Sequence, residues 1–298
     1  MTNNPFFLPK FNPANYATNL LNDTVGFEEL PIDIFSIPEY LEEKGVCLYF
    51  DYDKFEDNSE YGFSEVTQDS KIIYLNASFY GESFEDVSLD TSKRRHCRFT
   101  LAHELGHCTI PTHIDVQQQK LLTKEENPHS RKYSFYREYE ANIFAAELLI
   151  PSSTVGNIYS YGKNCKEMAD NISNKYEASF LASILKVAEL CKDSICICLQ
   201  IDSNTKKVIN ITFSKEFANY GKGLFIRRGD KIYSGSLANS LTKRDSSFHY
   251  QIYKDPSDWF PDFRGSSEAI LHEWSFKMGD NIITFLELID TSLYKLYF

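Results

Sequence analysis

The sequence predicts an α+β protein in two parts: a helix-rich first part around a small sheet, then a strand-rich C-terminal domain. Three observations carry this reading. Residues 99–105 and 137–149 combine strong helix formers with apolar positions at helical spacing. Two short β-branched or aromatic runs, "VCLYFDY" and "KIIYLN", precede them between polar turns. After about residue 190 the texture changes to "SICICLQI", "KVINITF", "GLFIRR", "HYQIY", "EAILHEWSF" and "NIITFLELI", which read as successive strands separated by turn signals.

A chain of 298 residues fits about two domains at ~150 residues each. The expected organisation is an N-terminal extension over 1–30, a domain over 31–190 and a second domain over 191–298. The extension holds one helix, at about 13–21. Helical spacing resumes over 31–43, "PIDIFSIPEYLEE", and the acidic stretch 51–60 reads as a solvated loop. The helix through Phe99, Ala102 and Leu105 is capped by Asp90 or Ser92. The helix over 137–149, with the interior "EANIFAAELL", stops before Pro151 because proline cannot continue it. Residues 165–190 suggest two short helices meeting around 173–176. The basic run "KRRHCR" opposes the dipole at its helix start, and pairing with Glu85, Asp86 or Asp90 is expected to relieve it.

Composition narrows the function classes. Hydrophobic residues make up 42% and charged residues 24%, the profile of a soluble globular protein. With 42 acidic against 31 basic side chains the net charge is −11, which argues against direct nucleic-acid binding through a basic surface. The seven cysteines are odd in number and lack a C-x-x-C pair, so they read as reduced thiols. Cys196 and Cys198 alternate along an apparent strand and read as small residues of that strand, not a metal pair. The first residues lack a secretory pattern, and no apolar run approaches the ~20 residues of a membrane span. The expectation is a cytoplasmic protein without a membrane partner.

The chemistry concentrates in "RFTLAHELGHCTIPTH". His103 and His107 are four residues apart, one turn on a single helical face. Two neutral imidazoles so placed can bind one zinc ion. Glu104 is turned by roughly 100° from His103, so it is poorly placed as a ligand but can reach the attacking water as a base. Leu101, Ala102, Leu105 and Gly106 mark the helix as largely buried, where two histidines and a glutamate without a partner would be costly. H-E-x-x-H on a helix is thus a zinc-hydrolase pattern with a mechanism behind it.

Such a site needs a third protein ligand. His113 follows His107 by six residues, a spacing used when a glycine turns the chain sharply out of the helix. Here that position is Ile110, which resists a positive φ, so His113 is read as a non-ligand near the cleft. The favoured ligand is Glu138 on the second helix. Asn142 lies one turn on and can accept the free ring N–H of a ligand histidine. Glu140 points about 200° from Glu138 and reads, with Glu147, as a solvated or locally paired acid.

"RRHCRFTLAHELGH" followed by "EYEANIFAAELLIP" resembles the ImmA/IrrE family of metallopeptidases, whose second motif usually ends in Met-Pro where this chain has Ile150-Pro151. The resemblance covers about 31–151, including "PIDIFSIPEYLEEKGV" and "IIYLN", and fits the rest only loosely. It implies a zincin-like metallopeptidase domain with one Zn²⁺ per chain, held by His103, His107 and Glu138, with Glu104 as catalytic base. It also implies a protein substrate, a helix-turn-helix repressor, and a place in stress response or the control of mobile elements. The C-terminal domain resembles the GAF-like sensor end of some members. Candidates to stabilise the reaction's oxyanion are His129, Tyr133, Tyr136 and His113, and "KIIYLN" is a candidate edge strand for an extended substrate. The alternative is a non-proteolytic, zinc-bearing regulator: a DNA-binding protein using 165–190 as a helix-turn-helix, or a toxin–antitoxin component. "EASFLASILKVAEL" offers one lysine against two glutamates, a poor recognition helix.

Overall fold

The computed structural model describes residues 12–55, 60–67, 69–88, 90–114, 130–156, 165–191, 195–241 and 248–290, without the side chains of 130–135, 215 and 218. Contacts divide the chain into one unit of Met1–Gly156 with Asn171–Ala182 and another of Asn157–Asp170 with Ser183–Phe298.

The first unit opens with α1 (Pro13–Asp23), whose N-cap Asn12 accepts the Ala14 N–H and which carries proline where its missing donor costs nothing. A 3-10 turn (Ile34–Ser36) leads into α2 (Ile37–Glu43). A three-stranded sheet follows: β1 (Leu48–Asp53), β2 (Gly62–Val66) and β3 (Lys71–Asn76), in the order β1-β3-β2. β3 runs parallel to β1 (Leu48↔Lys71) and antiparallel to β2 (Gly62↔Leu75). "KIIYLN" is therefore the central strand, not an edge, and both of its hydrogen-bonding sides are occupied. β2, absent from the sequence-based reading, takes one edge. Its first residue is glycine where a Cβ would lie 2.7 Å from Thr100 Cγ2. Two short helices, α3 (Ala77–Tyr80) and α4 (Phe84–Ser88), connect the sheet to the helix pair that follows.

That pair is α5 (Thr91–Thr109) and α6 (Ser130–Leu149). Asp90 caps α5 by accepting the N–H groups of Ser92 and Lys93 at 2.9 and 3.0 Å. At the other end the chain leaves α5 at Ile110 (φ −73°, ψ 118°) just before Pro111. Lys71 of β3 donates to the Cys108 carbonyl at 2.6 Å, a cation at a helix C-terminus. α5 packs on β2, β3 and α6, and α1 packs on α6. From Cys97 onward α5 turns inward: Cys97, Leu101, Ala102, Leu105 and Cys108 meet the interior. The basic run does not pair as expected. Arg94 reaches Glu177 at 2.7 Å, Arg95 reaches Asn174 at 2.9 Å, and the buried Arg98 donates to the Ile32 carbonyl at 2.8 Å. Glu85 and Asp86 sit in the first turn of α4, and Asp90 is committed to its cap.

Beyond α7 (Ser152–Val155) come α8 (Cys165–Lys175) and α9 (Phe180–Leu190), each with residues in both units. The second unit holds β4 (Ile195–Asp202), β5 (Val208–Phe213), α10 (Lys215–Tyr220), α11 (Leu237–Ser240), β6 (His249–Tyr253), β7 (Ile270–Met278) and β8 (Asn281–Ile289). Its sheet is antiparallel in the order β5-β4-β8-β7-β6. Ile197, Leu199 and Leu286 of one face pack with Trp259 and Phe260. Glu273 is buried on that face, and its carboxylate accepts Leu237 N–H, Ala238 N–H, Tyr253 O–H, Trp259 Nε1–H and Ser275 O–H. Those donors make the buried charge tolerable. "GLFIRR" is not a strand. Gly223 has φ +83°, and a Cβ there would stand 1.7 Å from the Asp262 carbonyl oxygen, so the segment is a loop laid on another stretch of backbone. Among the described residues no helix is long and apolar enough to cross a membrane.

Candidate metal centre

Helical spacing brings His103 and His107 to one face of α5, and close packing brings Glu138 of α6 to meet them. The close packing depends on Gly106, where a Cβ would lie 3.2 Å from Phe144 Cδ1 and 3.3 Å from Ala141 Cα. A glycine on α5 facing an alanine on α6 lets the two helices approach at the level of the site. One ligand atom from each of His103, His107 and Glu138 lies within 4.8 Å of the others.

The distances are those of a single coordination sphere. The Nε2 atoms of His103 and His107 are 3.2 Å apart. Glu138 Oε2 lies 3.1 Å from His103 Nε2, and Oε1 lies 3.6 Å from His107 Nε2. An ion bound tetrahedrally at about 2.0–2.1 Å spaces its ligand atoms about 3.3–3.4 Å apart. Three lone-pair donors at these separations fit a divalent metal ion. Asn142 Oδ1 lies 3.0 Å from His103 Nδ1 and accepts its N–H, which leaves the Nε2 lone pair directed at the shared point.

Without an ion, the same atoms can share protons instead. Burial works against a charged His103, but the hydrogen bond to Glu138 and the charges of Glu104 and Glu138 raise it. Hydrogen bonds from His103 and His107 hold the Glu138 carboxyl well below the usual carboxylate range. Glu104 is buried at 8% exposure, next to His103 in sequence, and is not one of the converging ligands.

His113 has a place the sequence did not reveal. It is fully buried, its Nδ1 lies 3.0 Å from His107 Nδ1 and its Nε2 lies 2.9 Å from Glu140 Oε2. Burial, with the neighbouring His107 and Arg137, pushes His113 down to about 3, so its ring is neutral. Glu140, read as a solvated or locally paired acid, is only 21% exposed and pairs with this histidine. Helical spacing cannot join these residues, because His113 lies beyond the extended Ile110. Tyr136 is half-exposed on α6. His129 and the side chain of Tyr133 lie outside the described residues.

Residues 89–185 match the family model described as Peptidase_M78, IrrE N-terminal-like domain. No curated protein matches the chain. Among solved structures, a Mycobacterium tuberculosis transcriptional regulator matches with a TM-score of 0.54 at 11% identity, over 95% of this chain and 78% of that one. Identity that low speaks for the fold alone. Both helices of the candidate metal centre fall inside the matched range, so the residues that converge here lie in the stretch that is similar to the IrrE N-terminal-like peptidase domain.

Proposed function

We propose that the protein is a zinc-dependent endopeptidase that hydrolyses a peptide bond in a specific protein partner, a helix-turn-helix repressor. The observation that carries the reading is the convergence of His103, His107 and Glu138, with Glu104 beside them on the same helix, inside a metallopeptidase-family domain. When bound, zinc supplies Lewis acidity and acidifies water to near neutrality. Glu104 accepts the proton of the attacking water at its carboxylate and returns it to the departing amine. Tyr133 and Tyr136 of α6, and His129 just before it in sequence, are the candidates to donate to the oxyanion.

The repressor as substrate follows from the ImmA/IrrE resemblance, and the solved structure of similar fold is itself described as a transcriptional regulator. Direct DNA binding is disfavoured because the one lysine of α9, Lys186, is buried and lies 3.4 Å from Glu189. The C-terminal domain over 191–298, a GAF-like sensor in this reading, binds a small ligand or partner and governs access to the zinc. In support, the metal-ligand grouping found among the described residues lies on α5 and α6. The test is incubation of the zinc-loaded protein with helix-turn-helix repressors encoded near its gene, with and without a chelator, beside Glu104→Gln. We expect discrete fragments only from the loaded wild type, and full zinc content in the variant. Cleavage that survives both chelation and Glu104→Gln would overturn the mechanism.

A further inference from the structure

We propose that His113 and Glu140 are positioning residues that fix the ring tautomer and orientation of His107, through a hydrogen-bonded chain from Glu140 to His113 to His107. The inference rests on the metal-centre reading above. A metal ligand at His107 Nε2 must present a lone pair there, so its ring proton sits on Nδ1. The neighbour of that Nδ1 is another ring nitrogen, His113 Nδ1, at 3.0 Å. Two N–H groups cannot face each other at that distance, so His113 Nδ1 is the acceptor. The single proton of His113 then resides on Nε2, and it points at Glu140 Oε2, 2.9 Å away. Each link dictates the next, and the chain ends on a carboxylate, which accepts without needing a proton of its own.

The two histidines of the motif are thus supported in parallel by different means. His103 Nδ1 donates to the side-chain amide oxygen of Asn142 at 3.0 Å. His107 Nδ1 donates to an imidazole that is itself held by a carboxylate. α6 supplies both anchors as well as Glu138, so one helix sets three of the interactions that organise the site. Complete burial of His113 keeps water from replacing either of its bonds. With both ring nitrogens engaged, His113 stands behind His107 and does not serve as an oxyanion donor.

The experiment uses the full chain and measures zinc affinity by chelator competition, the ligand-field spectrum of the cobalt-substituted protein, and the thermal stability of the metal-free protein. An asparagine at 113 places its amide oxygen where imidazole Nδ1 stood, and so keeps the acceptor for His107. A glutamine instead reaches the Nε2 position and loses that acceptor. We expect His113→Gln to weaken zinc binding roughly 10–100-fold and alter the cobalt spectrum, and His113→Asn to restore most of both, at similar metal-free stability. Glu140→Leu, which leaves the far end of the chain unheld, should fall between them. Long-range ¹H–¹⁵N correlation of the zinc-loaded wild type should show His107 protonated at Nδ1 and His113 at Nε2. Equal zinc affinity in the Asn and Gln variants, or a His113 proton on Nδ1, would overturn the proposal. A wild type that binds neither zinc nor cobalt would instead refute the metal-centre reading on which it rests.

Discussion

Gly106 sits between the two histidines of the metal centre, and Gly106→Ala tests whether close helix packing builds the site. The added Cβ would lie 3.2 Å from Phe144 Cδ1 and 3.3 Å from Ala141 Cα, where unstrained carbon contacts are about 3.5–4.0 Å. Relieving the contact moves α6 outward by about 0.2–0.8 Å, since a backbone atom and a buried ring must both give way. Two energies oppose each other. Alanine gains about 1 kcal/mol over glycine in a helix interior. Overpacking costs about 1–3 kcal/mol. The expected net change is a loss of about 0–2 kcal/mol, a fall of up to about 3 °C in Tm for a protein of 298 residues. Zinc affinity should respond more strongly, because α6 carries Glu138 and coordination tolerates only about ±0.2 Å. We expect a loss of about tenfold or more in chelator competition, with Gly106→Val worse in both measurements. The reasoning fails if Gly106→Ala raises Tm by its full helix-propensity gain and binds zinc like the parent.

His103→Ala removes one of three ligands, so elemental analysis should show near-stoichiometric zinc in the wild type and little in the variant; unchanged metal content would mean that the ion sits elsewhere. Cys47 is exposed, while the other six cysteines are buried, and burial pushes Cys97, Cys108 and Cys198 up to about 12. Thiolate is the reactive form, so iodoacetamide at pH 8 should add to one thiol quickly in the native protein and to seven after unfolding, and several fast native adducts would contradict the packing. Glu273→Gln turns an amide N–H₂ toward donors that a carboxylate now accepts, at a cost of about 1–3 kcal/mol or more. Denaturation should show a weakened second unit with zinc stoichiometry retained, and wild-type stability would show that this carboxylate does not hold α11 to the sheet.

The fold and site were legible wherever a local rule governs the residues. His103, Glu104 and His107 lie within one turn or so of a helix, so their relative directions follow from 3.6 residues per turn. The pairing of Glu138 with Asn142 obeys the same rule on α6. Asp90 was readable as a cap because its carboxylate serves N–H groups two and three residues away. Legibility failed where the decisive partner is distant in sequence. Arg94 had three acids nearby but took Glu177, 83 positions on. β2 has a glycine start and little apolar content, and its strand state comes from pairing with β3 and packing on α5, neither of which a single segment displays. "GLFIRR" failed in the opposite sense: it has the apolar content of a strand, but Gly223 is required there by the Asp262 backbone, which no periodicity encodes. His113 combines both problems. It follows a helix end, so helical spacing stops predicting its direction, and its acidic partner lies 27 positions later on another element. The shared face of His103 and His107 could be read because helical spacing is a fixed local pattern, while the approach of Glu138 comes from the packing of a second helix. The contacts of His113 with His107 and Glu140 obey only distance and direction, which become visible once the two helices are packed together.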